Sequence, residues 1–140
     1  MKKFFFLLLI ISCHPDGDDN DFETTPYSLI YPLDVFPTML IPEDNLLTQE
    51  GVSLGKKLFF DPILSSNNTI SCASCHLQEN SFSDPNQYSI GVNGDLGFRN
   101  AFSLVNIGWN SSFNWDGSAS SLESQVFEPV TNIVEMANNW

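Results

Sequence analysis

A mostly α-helical domain with long loops is the fold this chain predicts, on three observations. The stretch from Thr48 to Phe60 has helical spacing of its apolar residues between an N-cap residue and a proline. A second helix start is marked by Ser120-Ser121-Leu122-Glu123, a capping-box pattern. No segment alternates apolar and polar residues for long enough to read as a half-buried strand.

Residues 22–42 carry Pro26, Pro32, Pro37 and Pro42 with Tyr27, Tyr31 and Phe36 between them. Proline fixes φ and removes a donor, so this segment is expected to be extended and to wrap along the domain surface. The first helix then starts at the N-cap Thr48 and stops before Pro62. Val52, Gly55 and Phe59 share one face, with Leu54 and Leu58 beside it. Two glycines weaken this helix, and Gly55 is expected to mark a close approach to another helix or to the edge of the group discussed next.

Cys72-Ala73-Ser74-Cys75-His76 follows a polar loop, and C-x-x-C-H is the attachment signature of a c-type haem. Two cysteines three apart point the same way on one helical turn, so each sulfur can form a thioether with one haem vinyl group while His76 reaches the iron. A structural zinc site needs about four ligands, and the chain offers only Cys13, Cys72, Cys75, His14 and His76. A thioredoxin-like dithiol is expected to open a helix after a hydrophobic strand, whereas Asp61 to Ser71 is polar.

Beyond the motif, residues 78–97 are rich in Ser, Asn, Asp and Gly and read as a loop. A short helix is expected from about Asn100 to Ile107. The helix signalled at Ser120 is expected to end at Pro129, and a further helix to begin at about Thr131 and continue to Trp140.

The chain opens with Met1-Lys2-Lys3 and an apolar run from Phe4 to Ile11 that is far shorter than the ~20 residues a membrane span requires. With Ser12-Cys13 this has the form of a signal peptide, and Ile10-Ile11-Ser12-Cys13 resembles the lipobox of bacterial lipoproteins, in which the cysteine is lipidated. Residues 1–13 thus read as a lipoprotein signal peptide and residues 14–39 as a tether, acidic and then proline-rich. The acidic stretch after Cys13 also resembles the surface-export signal of Bacteroidota lipoproteins. An ordinary signal peptide would leave the location, the cell envelope of a Gram-negative bacterium, unchanged.

Cleavage before Cys13 would remove Lys2 and Lys3 and leave three basic residues against 17 acidic ones, a formal charge of −14. Such a surface repels nucleic acid and anionic headgroups. It would attract a basic redox partner such as a small cytochrome, or simply keep an exported domain soluble. The folded part, residues 40–140, is the size of one small domain, and a haem would supply so much of its core that the apo form is expected to fold poorly.

The order Leu54-Gly55-Lys56-Lys57-Leu58-Phe59-Phe60-Asp61-Pro62, Ser71-Cys72 through His76, Gly97-Phe98-Arg99-Asn100, Trp115-Asp116-Gly117, Gln125 and Glu135-Met136 resembles the N-terminal haem domain of bacterial di-haem cytochrome c peroxidases, the group that includes the MauG-like enzymes. The resemblance implies a cytochrome c-like haem domain that takes hydrogen peroxide, with a C-terminal domain carrying a second haem as electron relay. It implies that Cys72 and Cys75 hold haem c, that His76 is the proximal iron ligand, that Glu135 is the acid/base carboxylate and that Gln125 is a distal amide. It places Trp115 on the route between the haems and Asn100 near an interdomain calcium. A small cytochrome c is the implied electron donor. Splitting a peroxide heterolytically moves a proton from the inner to the outer oxygen, which is work for a carboxylate, and an amide beside it can stabilise developing charge. From the residues alone, Glu135 reads as a solvated helix carboxylate, Gln125 as an exposed helix residue, Trp115 as ordinary core and Asn100 as a turn or cap.

Two departures stand out. Many members carry a second histidine, in the loop before Gly97-Phe98-Arg99-Asn100, that caps the iron until reductive activation; the matching position in Ser89 to Gly94 is Val92. An iron without a distal histidine implies a site open to peroxide, as in the MauG-like branch. Ser118 stands where arginine usually follows Trp-Asp-Gly. The chain contains no second C-x-x-C-H and reads as a fragment of a longer protein whose second haem lies elsewhere. The rival reading is an electron-transfer cytochrome c with Met136 as sixth ligand, Met39 being the poorer choice. A haem lipoprotein that senses or stores is a third.

Overall fold

The computed structural model describes residues 23–139; the signal sequence, Cys13, the acidic half of the tether and Trp140 lie outside the described residues. Three α-helices occur among these: α1 (Gln49–Phe60), α2 (Cys72–Cys75) and α3 (Leu122–Thr131). Single 3₁₀ turns stand at Pro62–Leu64, Gln78–Asn80 and Ile107–Trp109. Extended pairing among the described residues is limited to isolated bridges, such as Leu77 with Ser83 and Ile90 with Leu96. The domain is therefore helical in type but more loop than helix.

The first helix has the expected ends. Thr48 Oγ1 accepts the Gly51 N–H at 3.0 Å, satisfying one of the orphan donors of the first turn. Asp61 closes the helix through its N–H to Lys57 O at 3.0 Å, and Pro62 starts the next turn. At Gly55 a Cβ would meet nothing within 4 Å, so among the described residues it marks no close approach to another helix.

The proline-rich segment does lie along the domain. Pro26 bridges to Thr48, Tyr27 N–H donates to Leu47 O at 3.0 Å, and Thr25 N–H donates to the Glu50 carboxylate at 2.9 Å. Further on, Trp109 takes the ring of Tyr31 edge-on at 5.2 Å and that of Phe36 at 4.7 Å. Its Nε1–H donates to Pro37 O at 2.9 Å, which gives the buried part of the indole a polar partner.

Three helix expectations are corrected. Residues 100–107 form no α-helix, because their backbone and side chains bond to the 81–83 loop: Leu104 N–H donates to Phe82 O at 3.3 Å and Ser103 Oγ to Ser81 O at 2.6 Å. Asn106, at φ 57°, then turns the chain away. In α3 the capping box is one residue later than read, with Ser121 Oγ accepting from Ser124 N–H at 3.1 Å and Ser124 Oγ from Ser121 N–H at 3.3 Å; Glu123 instead accepts from Asn45 at 2.9 Å. This helix carries Pro129 inside it and runs on to Thr131, held by the burial of Val130 at 2% exposure and by Asn132 N–H to Glu128 O at 2.9 Å.

Past Thr131 the chain makes a turn in place of the expected helix. Asn132 Oδ1 accepts from Val134 N–H at 3.0 Å, a local side-chain bond that competes with helix formation, and Ala137 sits at φ 51°. The apolar side chains buried among the described residues are Phe113, Ala119, Val130 and Met136. So thin a core leaves the structure to be organised around a cleft.

Candidate functional site

The Cys-x-x-Cys turn is built locally. Ser71 N–H donates to Ser74 Oγ at 3.0 Å, Ser74 N–H to Ser71 O at 3.0 Å, and His76 N–H closes the turn on Cys72 O at 3.0 Å. With α2 one turn long, both sulfurs face the same cleft, which has a volume of about 530 Å³, inside the range of cofactor sites. Burial pushes both thiols above their ordinary value, and at Cys75 the charges of Asp84 and Glu135 add to that.

His76 is oriented by its backbone neighbours. Its Nδ1 lies 2.9 Å from Phe82 O; a carbonyl only accepts, so Nδ1 carries a proton and Nε2 is the nitrogen available to a ligand. The carbonyl is brought there by a tight reversal in which Ser81 and Phe82 both adopt the left-handed region, at φ 57° and 55°. Such a conformation is unusual for a bulky side chain and costs of order 1–3 kcal/mol per residue. The bridge of Leu77 to Ser83 holds the reversal together, and the ring of Phe82 rests against Phe59 at 6.1 Å. Phe102 stands edge-on to the imidazole at 5.8 Å.

These donors fit a covalently held haem. Both Cys72 and Cys75 line the cleft, the His76 imidazole has one nitrogen held by a carbonyl and the other available, and Phe59, Ile70, Phe102 and Leu104 give the cleft apolar walls. No group of three or more His, Cys, Asp and Glu suited to a bare metal ion occurs among the described residues.

Gln125, Glu135, Trp115 and Asn100 line the same cleft. Glu135 opens onto it while the surrounding chain desolvates its carboxyl enough to push the pKa up; the Asn132 amide works in the opposite direction and the Glu128 charge adds to the rise. The Asn132 contact is direct, Nδ2–H to Glu135 Oε1 at 2.8 Å. Trp115 is exposed rather than core, at 62%, and its Nε1–H donates to Asn100 O at 2.7 Å. The Asn100 amide donates to Asn86 O at 2.7 Å and to Asp84 O at 3.2 Å, so it ties two loops together.

A family model described as di-haem cytochrome c peroxidase matches residues 49–140. The chain belongs to the di-haem cytochrome c peroxidase family. It is 42% identical over 95 residues to methylamine utilization protein MauG of Methylorubrum extorquens, a match covering 68% of this chain and 27% of that protein. It is 39% identical over 105 residues to cytochrome c peroxidase Ccp of Escherichia coli, covering 74% and 23%. Among solved structures, a MauG-like protein associated with microbial copper homeostasis superposes with a TM-score of 0.73 at 37% identity, covering 79% of this chain and 32% of that one. The chain thus spans about a quarter of the length of the curated family members it matches.

Against this family background the two departures have a visible setting. Val92 is absent from the cleft lining, which Ser89, Ile90 and Gly91 supply from the same loop. Ser118 Oγ accepts from Asn114 at 2.9 Å and its N–H donates to Asp116 at 3.1 Å, while Arg99, the only Lys or Arg among the described residues that lines the cleft, pairs with Asp116 at 2.8 Å. Sequence reasoning missed Phe82, Asn132 and Gly91. Only Gly91 left a trace, as a glycine in a loop, because the other two act through a carbonyl and a turn that no side-chain pattern announces.

Proposed function

We propose that this chain is the peroxide-reacting haem domain of a di-haem peroxidase, exported to the cell envelope, lipidated at Cys13, reducing hydrogen peroxide with electrons from a small cytochrome c by way of a second haem domain. The observation that carries the reading is that Cys72, Cys75, His76, Gln125 and Glu135 line one cleft. Haem c, when bound, supplies the iron at which peroxide is taken up and the electrons that reduce it.

The residues divide the remaining work. Cys72 and Cys75 add their thiols across the two vinyl groups and fix the macrocycle. His76, its ring orientation set by Phe82 O, would offer Nε2 to the iron. Glu135 would move a proton between the peroxide oxygens, for which a carboxyl raised above its ordinary value by burial is suited, and Gln125 would orient the substrate by hydrogen bonding. Trp115, exposed at the cleft rim, stands on the electron route, and Asn100 contributes to a calcium site at the domain boundary. With valine at position 92 and no histidine in residues 89–94, this loop offers nothing to cap an iron, and no reductive opening would be needed.

The test is the ferric absorption spectrum of the haem-loaded protein followed by mixing with hydrogen peroxide. A high-spin iron that reacts, with Glu135→Gln slowing the reaction about 10²-fold and haem retained, is the expected result. A low-spin, methionine-ligated iron inert to peroxide would sink the proposal and favour the electron-carrier reading. That reading has one observation behind it: Met136, 4% exposed, also lines the cleft.

A further inference from the structure

Resting on the reading of Glu135 as the acid/base group, we infer that Gly91 and Val92 are positioning residues for it, forming a backbone shelf that sets where the Glu135 carboxylate stands. Val92 N–H donates to Glu135 O at 2.7 Å. Beside that bond a Cβ at Gly91 would lie 1.8 Å from Val134 O, 2.8 Å from Val134 C and 3.0 Å from Glu135 O. Position 91 therefore has room for hydrogen alone, and the peptide joining Val134 to Glu135 rests directly on it. Gly91 is not among the residues at positive φ, so the demand for glycine here is one of space and not of backbone conformation.

Both sides of the contact are stiff. The shelf is a closed loop, with Gly91 N–H to Asp95 O at 2.8 Å, Gly94 N–H to Gly91 O at 2.9 Å and Gly97 N–H to Ser89 O at 2.9 Å. Asn67 ties it from behind, Nδ2–H to Val92 O at 3.3 Å. The Glu135 turn is held by Glu135 N–H to Asn132 O at 3.0 Å and by Ser66 N–H to Met136 O at 3.0 Å. Neither partner yields cheaply, so a methyl group at position 91 drives the Glu135 peptide off by more than ~1 Å, a misplacement that costs an acid/base group on the order of 10²-fold in rate.

The experiment is a double-mutant cycle on the haem-loaded full chain, read as the rate of the haem absorbance change on mixing with hydrogen peroxide, together with amide hydrogen exchange at Val92. Gly91→Ala is expected to slow the reaction about 10- to 100-fold, to lose Val92 protection, and to add no further slowing to Glu135→Gln. Asn67→Ala, which removes the rear tie together with the two bonds Asn67 Oδ1 accepts from Thr69, is expected to slow it about 2- to 5-fold with the same non-additivity, and carries the test if Gly91→Ala fails to take up haem. Native rates in both variants while Glu135→Gln is slow would overturn the positioning role and leave Glu135 standing. Slowing that multiplies with Glu135→Gln would also overturn it, since the effect would then run through another group. A Glu135→Gln protein with the native rate would remove the acid/base reading and this inference with it.

Discussion

His76 Nδ1 and the carbonyl oxygen of Phe82 lie 2.9 Å apart, across a reversal in which two consecutive non-glycine residues take left-handed backbone angles. The orientation of the His76 imidazole therefore rests on backbone strain a few residues away. Ser81→Val places a β-branched residue at φ 57° and is expected to cost about 1–3 kcal/mol. Denaturant unfolding of the haem-loaded protein measures this, and an unchanged midpoint would show that the reversal bears no strain.

Gly55 makes the opposite case. It sits inside α1 with open space where a Cβ would be, so Gly55→Ala gains helix propensity without a clash. Thermal unfolding is expected to show about 0.5–1 kcal/mol of added stability, and a loss would mean that an unseen neighbour occupies that face.

The strap at residues 23–42 depends on Trp109. Trp109→Ala removes two ring contacts and one indole hydrogen bond, an expected loss of about 1–3 kcal/mol, and limited proteolysis is expected to cut the released strap first. Trp109→Phe keeps a ring for Tyr31 and Phe36 and recovers most of the stability.

Asp116 carries a defined acid response. Hydrogen bonds from Ser118, then the Arg99 guanidinium, lower its pKa to about 2. A carboxylate lowered on folding lends stability that is fully present above its unfolded value near 3.8 and is lost as pH falls through about 2. Asp116→Asn is expected to flatten the fall in melting temperature between these values, and the native fall is expected to shrink in high salt because the pair is exposed.

Met136→Leu tests the electron-carrier reading, in which Met136 would be the sixth ligand. The swap nearly conserves volume and is expected to cost less than about 1.5 kcal/mol, leaving the spectrum of the haem-loaded protein and its peroxide reaction in place. Loss of a low-spin signal on this substitution would identify Met136 as a ligand.

The parts of the fold legible in the sequence are those fixed by local chemistry. Thr48 and Pro62 bounded α1 correctly because a cap and a missing N–H act within one turn. Pro129 misled, because burial of Val130 at the next position holds α3 together beyond the proline. The segments at 100–107 and beyond 131 share one lesson: Leu104 bonds to Phe82, and Val134 to its neighbour's side chain, so partners outside any helix took the backbone groups a helix would have used. For the site, the Cys72 to His76 spacing located the cleft, and the family resemblance supplied Gln125 and Glu135 as candidates. What holds them in position was not legible: the Phe82 carbonyl, the Asn132 amide and the missing side chain at Gly91 are contributions of backbone and space.

The thinness of the buried core also dictates an order of assembly. With so few apolar side chains enclosed among the described residues, the proposed haem would supply the cohesion the polypeptide lacks once it fills the cleft. Thioether formation at Cys72 and Cys75 would then have to come while the chain is still open. On that reading compactness would be a certificate of loading: a copy that missed its prosthetic group is expected to stay protease-sensitive, which limited proteolysis of the haem-free and haem-loaded protein would show.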